Sequence, residues 1–404
     1  MAKVIPFKGI LPPKHLADKI VTMSADNYSY EEAKKIVEIN PLSYLSIIYP
    51  DFIDHKKTQA HSLQRFQKIY NRFQWFRKNQ YFVQDTKPQF YIYKQKHLNF
   101  EFNGIIGAIS AEDYFKGNIK IHEQTLSERE KKLKEYLKHC RINAEPVLFF
   151  YPDSKTITDI ILNIQQNSPD IVVNINNIQH FIWKSNNVLI NADIQNYFEK
   201  TGYVFIADGH HRSASSSLLA KEEQNNIHAQ FFLGAFFQES QLKIYSFHRL
   251  LKNVVVPDDF VEKISENFIV EEIQSDYDLK NHILGMYWNN KRYLLKYKNV
   301  DDSSIDTDIL YQYILKKIFL IEDVRNNPCV DYYSEYIYSR LQAEEMVKKG
   351  DYTLAFFTHP VSTTTIKNIA LQNNTMPPKS TYVLPKLLNG LVVYSLDESI
   401  VLKQ

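Results

Sequence analysis

The sequence predicts a mixed α/β protein of the α+β kind, in which short strands alternate with amphipathic helices. Three observations predict it. Short apolar runs such as residues 203–207 (YVFIA) and 231–237 (FFLGAFF) read as buried strands. Between such runs, apolar residues recur at helical spacing, with Leu63, Phe66, Ile69, Tyr70 and Phe73 the plainest case. No fixed-period repeat and no long Ser/Gly or Pro linker breaks the alternation. Solenoids and propellers are therefore disfavoured, and any domains are expected to pack together.

The elements follow in order. Residues 30–38 (YEEAKKIVE) read as a helix stopped by Asn40-Pro41, because the residue before proline is pushed out of helical backbone. Residues 58–79 read as the next helix. A strand is expected over 90–93. Another covers 102–109 (FNGIIGAI), where two glycines point to a close backbone approach. A charged amphipathic helix is expected over 126–139, with Ser127 as its cap and Glu130 three residues on. Strand 146–151 (PVLFFY), helix 157–166 and strand 179–183 come next. Strand 203–207 then runs into Asp208-Gly209-His210-His211-Arg212, and a helix rich in Ala, Ser and Leu is expected over 213–222. Strands at 231–237 and 243–247 precede a helix at 305–319 and a second at 338–348, closed by Gly350. A strand at 353–357, a helix at 361–373, a Pro-bounded segment at 376–385 and a last strand at 391–395 complete the chain.

Composition narrows the class. Of 404 residues, 44% are hydrophobic and 23% charged, which excludes a disordered chain. Lys+Arg 48 against Asp+Glu 46 leaves a net charge of +2, without the basic excess of a nucleic-acid binder. Only Cys140 and Cys329 occur, so a disulfide scaffold or a Cys-based zinc site is not expected. The opening MAKVIPFKGILPPK has Pro and Lys where a signal peptide needs an unbroken apolar stretch, and no apolar run approaches the ~20 residues that span a bilayer. A cytoplasmic protein with no membrane partner is the expectation.

Three segments carry candidate chemistry. In YVFIADGHHRSASSSLLA a strand ends at Asp208, Gly209 permits a tight turn, and a helix begins near Arg212 or Ser213. Helix-start amides and the helix dipole favour an anion. His210, His211 and Arg212 stand at the same spot, where Arg holds phosphate oxygens in bidentate fashion and His donates to them. Asp208 suits Mg²⁺, a hard cation that prefers oxygen. The turn thus reads as a polyphosphate site. The alternative is a packed turn, with Arg212 paired to a surface carboxylate. In the second segment, GNIKIHEQT, His122 and Glu123 precede a helix, and a carboxylate there is suited to accept a proton from a substrate hydroxyl. A capping or solvated pair is the alternative. The third segment, MPPKSTYVLPK, offers Lys379, Ser380 and Thr381 for a phosphate or ribose contact, or else is a rigid surface loop.

Together these motifs resemble a known family. The HE pair, the Asn143-x-x-Pro146-Val147 strand and the strand ending in DGHHR look like the ParB-like fold of the free serine kinases. End to end, the chain is closer still to the bacterial and archaeal domain-of-unknown-function family numbered one-zero-one-five. The further matching pieces are Pro6-Phe7-Lys8-Gly9, Asn40-Pro41-x-Ser43, Tyr91-x-Tyr93-x-Gln95, Gly104-Ile105-Ile106-Gly107, Asp113-Tyr114 and Gly390-Leu391. The resemblance implies a ParB/sulfiredoxin-like nucleotide-binding core over 101–250, with α/β elaborations at 1–100 and 251–404 packed on it. It implies a kinase that uses ATP or ADP with Mg²⁺ to phosphorylate a free small hydroxy compound, L-serine foremost, to O-phospho-L-serine. Glu123, with His122 beside it, would be the catalytic base. Asp208 would hold Mg²⁺, and Gly209, His210, His211, Arg212 and Ser213 would hold the phosphates. No nucleic acid is implied, and a homodimer is allowed. The other readings are a ParB-like nucleotide-binding regulator and a member that has lost catalysis.

The chain departs from the family pattern at three places. Pro-Pro-Tyr-Asp before the first helix is here Met23-Ser24-Ala25-Asp26. The aromatic residue after DGHHR is here Ser213. An Asp-rich turn with Gly is here Asp323-Val324-Arg325-Asn326-Asn327. The first two changes touch the region expected to receive the acceptor.

Overall fold

A computed structural model describes residues 1–275, 277–300, 304–324 and 327–400, so Arg325 and Asn326 of the third departure lie outside the described residues. The chain forms two compact units. Unit 1 comprises Met1–Ile121, Thr125–Leu242 and Pro385–Gln404, and unit 2 comprises His122–Gln124 and Lys243–Leu384.

Unit 1 is built on a nine-stranded mixed sheet. Its strands run in the order Ile171–Ile175, Ile178–Lys184, Tyr91–His97, Phe100–Ser110, Phe231–Gln238, Val147–Tyr151, Val204–Asp208 and Ile119–Lys120, with Val4–Ile5 also paired to Phe100–Ser110. Phe231–Gln238 pairs in parallel with Val147–Tyr151, and Val204–Asp208 with Ile119–Lys120. The remaining pairs are antiparallel. Side chains alternate across the pleat, so Val147, Phe149 and Tyr151 share one face with Val204 and Ile206 in the main core. The glycines of 102–109 have the expected role: a Cβ at Gly104 would stand 2.6 Å from the Phe237 ring on the neighbouring strand.

Helices flank the sheet. Ser29 caps Tyr30–Ile39 in a full capping box with Glu32. The helix Ser127–Cys140 corrects an expectation: Leu126 occupies the cap position without a side-chain bond, and Ser127 is already in the first turn. Instead the Thr125 hydroxyl, one residue before the cap, donates to the Glu130 carboxylate. A helix unforeseen in the sequence, Val188–Thr201, starts at Asn187, whose Oδ1 accepts from the amides of Leu189 at 2.9 Å and Ile190 at 3.3 Å. Of the expected strand at 391–395 only Tyr394–Ser395 is strand, and a further two-residue strand precedes it at Leu388–Asn389. Leu388–Asn389 pairs with Thr22–Met23, and Tyr394–Ser395 with Ile142–Asn143.

Unit 2 is built on a six-stranded, wholly antiparallel sheet. Its order is Phe268–Ile273, Lys291–Tyr297, Ile283–Trp288, Leu354–Phe357, Phe247–Leu251 and Val330–Ser334. One face, with Leu251 and Phe356, packs on Ile309, Leu310 and Ile314. The other, with Leu250, Ala355 and Phe357, packs on Ala343 of the helix Arg340–Lys348. The expected helix at 305–319 is α-helical only over Asp306–Leu310 and continues as a π-helix over Tyr311–Lys316.

Candidate active site

In unit 1 the strand Val204–Asp208 ends at the turn expected to hold phosphate. Gly209 has φ +101°, a left-handed backbone that side chains resist, and the helix His210–Glu222 begins directly after it. The helix therefore starts at His210 rather than near Arg212 or Ser213. Its cap residue is a glycine and brings no side chain of its own to the first-turn amides.

Two cations converge on Asp208. Lys386 Nζ stands 2.8 Å from Oδ2, and Arg212 Nη2 is 4.0 Å from Oδ1. Burial alone would raise this carboxyl. Lys386, then Arg212 and His210, override it and hold Asp208 far below the usual carboxylate range. Its side chain is still 43% exposed. Arg212 is clamped from behind: Nη1 meets Glu145 Oε1 at 2.6 Å and donates to the Pro146 carbonyl at 2.8 Å. Glu145 in turn accepts from the Ser24 hydroxyl at 3.0 Å. Ser24 belongs to the Met23-Ser24-Ala25-Asp26 stretch, so that stretch reaches the 208–212 turn through Glu145.

The carboxylate pairing of Arg212 was one of the two readings of the motif, and it coexists here with the strand–Gly–helix geometry. His210 is buried at 6% exposure, while His211 and Arg212 are half-buried. Ser213 is wholly buried, and its hydroxyl makes no hydrogen bond among the described residues.

In unit 2, Glu123 is half-buried and bridges to Met376, whose amide donates to the His122 carbonyl at 2.8 Å. His122 itself is buried. Lys379 takes a left-handed backbone with φ +58°, and its ammonium lies 5.5 Å from the centre of the Phe247 ring. Ser380 is buried, donates to the Pro377 carbonyl at 2.7 Å and meets Thr307 Oγ1 at 3.0 Å. Thr381 is half-buried at the start of Tyr382–Leu384, which pairs with Lys243–Tyr245.

The structure thus gathers Asp208, Gly209, Arg212, Lys386, Glu145 and Ser24 in unit 1, and His122, Glu123, Lys379, Ser380 and Thr381 in unit 2. Lys386 and Glu145 were missed in the sequence. The third motif contains both lysines: Lys386 reaches Asp208, and Lys379 lies over the Phe247 ring.

Asp208 fits a divalent cation in chemical type, a hard oxygen donor kept ionised, with Lys386 close on Oδ2 and Arg212 only at 4.0 Å from Oδ1. Among the described residues no group of three His, Cys, Asp or Glu side chains is placed to hold a metal. Magnesium needs no such group where substrate phosphates and water complete its shell. No described helix is long and apolar enough to cross a membrane.

No curated protein matches the chain. Among solved structures it is similar to SbnI with a C-terminal truncation from Staphylococcus aureus, at 12% identity over 69% of this chain and 82% of that one, with a TM-score of 0.38. It is also similar to a free serine kinase in complex with AMP, at 13% identity over 73% and 90%, with a TM-score of 0.37. A conserved hypothetical protein from Pyrococcus furiosus is a third, at 13% identity over 73% and 94%, with a TM-score of 0.35. The family model described as "Protein of unknown function (DUF1015)" matches residues 4–318.

Proposed function

The chain belongs to the DUF1015 family, and from that premise we propose that it is a nucleotide-dependent phosphotransferase with a ParB-like core, acting on the hydroxyl of a free small molecule. L-serine, converted to O-phospho-L-serine, is the leading acceptor. The observation that carries this reading is the turn after Val204–Asp208. There a left-handed glycine opens a helix beside Arg212 and Lys386, and a carboxylate is held ionised between them. Helix-start amides with an adjacent Arg and Lys are the donor set that a polyphosphate needs.

In this reading Arg212 and Lys386 bind the nucleotide phosphates and offset charge that develops on the transferring group. Asp208 would hold Mg²⁺, and that ion would supply further neutralisation of phosphate charge. Glu123 takes the proton from the acceptor hydroxyl, whose oxygen then bonds to the terminal phosphorus as the bond to the nucleotide breaks. The donor is ATP or ADP, leaving ADP or AMP.

The test is phosphoryl transfer by the full chain. Mg²⁺ and ATP, then ADP, are supplied with L-serine and a panel of small hydroxy compounds, and products are read by mass spectrometry. O-phosphoserine that falls by ~10²-fold or more in Glu123→Gln, with nucleotide affinity retained, is the expected result. Nucleotide binding without product from any acceptor would replace the kinase with a regulator or a catalytically silent member. Full turnover in Glu123→Gln would remove that residue from the mechanism.

A further inference from the structure

A guanidinium carries its five N–H donors in one rigid plane, so the partners of Arg212 decide which of them face a ligand. Nη1 is engaged: it stands 2.6 Å from Glu145 Oε1 and donates to the Pro146 carbonyl at 2.8 Å. Nε and Nη2 make no hydrogen bond among the described residues. Both lie against the turn, since a Cβ built on Gly209 would stand 3.0 Å from each. Nε and Nη2 share the side edge of the guanidinium, one of the edges that can hold two oxygens of a phosphate at once. That edge is therefore the one left for a ligand at the turn.

A second carboxylate contends for it. Asp208 Oδ1 is 4.0 Å from Nη2, at the outer limit of an ion pair. Glu145 is the nearer carboxylate and holds the guanidinium back. If Arg212 closed on Asp208, Nη2 would be engaged there and the edge would be lost to phosphate. Glu145 is itself held on both oxygens, with Arg212 at Oε1 and the Ser24 hydroxyl donating to Oε2 at 3.0 Å.

The same support carries the second cation. Met23, beside Ser24, pairs with Leu388, two residues after Lys386. The Gly390 amide donates to the carbonyl of Ala144, beside Glu145, at 3.1 Å. Segments 22–24, 144–146 and 386–390 thus meet in one junction, all within unit 1, behind the two cations that flank Asp208.

We propose that Glu145 is a positioning residue of the phosphate turn: it holds Arg212 off Asp208 so that Nε and Nη2 stay available to a nucleotide phosphate, and Ser24 locks Glu145 in place. This rests on the reading of the turn as a nucleotide-phosphate site. It does not depend on the acceptor or on phosphoryl transfer.

Charge alone predicts the opposite effect, because a carboxylate near a phosphate repels it. The sign of one substitution therefore decides. Binding of ADP with Mg²⁺ to the full chain is measured by calorimetry, with melting temperatures confirming that each variant is folded. Glu145→Gln is expected to weaken ADP binding by about tenfold or more, the worth of a charge-assisted contact. Ser24→Ala, which leaves every charge in place, is expected to weaken it by about threefold and carries the test if Glu145→Gln does not fold. In an Arg212→Gln background, Glu145→Gln is expected to cause no further loss, a non-additivity that a general loosening of the fold would not produce. Unchanged or tighter ADP binding in Glu145→Gln, or an equal further loss in the Arg212→Gln background, would overturn the proposal. Weakened binding in a protein that transfers no phosphoryl group would uphold the role of Glu145 and sink the kinase. Phosphoryl transfer by the wild type, with ADP affinity unchanged in Glu145→Gln, would do the reverse. No ADP binding by the wild type would overturn both.

Discussion

Arg212 stands 2.6 Å from Glu145 and 4.0 Å from Asp208, so its fork is aimed by the nearer carboxylate and left partly open towards the turn. Lys386 closes the other side of Asp208. Replacing Arg212 with Lys keeps the charge but loses the planar fork, and replacing Lys386 with Met removes a charge. Each is expected to weaken ATP binding by about tenfold or more, read by calorimetry, without loss of melting temperature. The five contiguous residues of the turn were legible in the sequence because they are local. Glu145 and Lys386 were not, because the contacts that recruit them span 66 residues, to the neighbouring Pro146, and 178 residues. Nothing in MPPKSTYVLPK distinguishes a lysine whose ammonium rests over Phe247 from one that reaches Asp208. Asp308 carries a second residue-scale consequence. Burial raises its carboxyl to about 6, against the pull of Arg249. The folded chain therefore holds this proton more tightly than the unfolded chain, and stability falls as pH rises from about 4 to 6. In urea titrations at pH 4.5 and 7, Asp308→Asn is expected to gain stability relative to wild type at the higher pH. A difference independent of pH would contradict the assignment.

At the scale of elements, the join between Val204–Asp208 and His210–Glu222 depends on one backbone conformation. An alanine at Gly209 would have to adopt φ near +101° and would place its Cβ 3.0 Å from Arg212 Nε. Gly209→Ala is expected to cost roughly 1–2 kcal/mol in chemical denaturation and to weaken nucleotide binding by displacing Arg212. Strands of unit 1 such as Val147–Tyr151 and Phe231–Gln238 were plain in the sequence because they are buried along their whole length and read as unbroken apolar runs. In unit 2 the strands at 243–247 and 353–357 were legible too, but others were hidden for the opposite reason. Lys291–Tyr297 reads KRYLLKY and Phe268–Ile273 reads FIVEEI, half-buried strands whose outward charges mask a period of two. Helix 305–319 was recognisable by period, but its switch to π-helix at Tyr311 was not, since side-chain spacing barely changes there.

At the scale of the whole molecule, the mixed α/β class was legible from the alternation of elements, while the assembly of each unit from separated segments was not. Strand pairing between Leu388–Asn389 and Thr22–Met23 has no local signature. The net charge of +2 gives duplex DNA little to hold. Binding assays at 50 and 200 mM salt are expected to show no salt-sensitive affinity for duplex DNA, and a steep salt slope would favour the ParB-like regulator instead. The C-terminal return of the chain to unit 1 also imposes a timetable. Asp208 and Arg212 leave the ribosome long before Lys386, which follows only after the whole Lys243–Leu384 stretch has been made. At ordinary translation speeds of 5–20 residues per second, a separation of 178 residues is a delay of roughly 9–36 s. Through that interval the nascent chain lacks the second cation of the Asp208 turn, so the pairing of Lys386 with Asp208 forms only after the intervening stretch has been made.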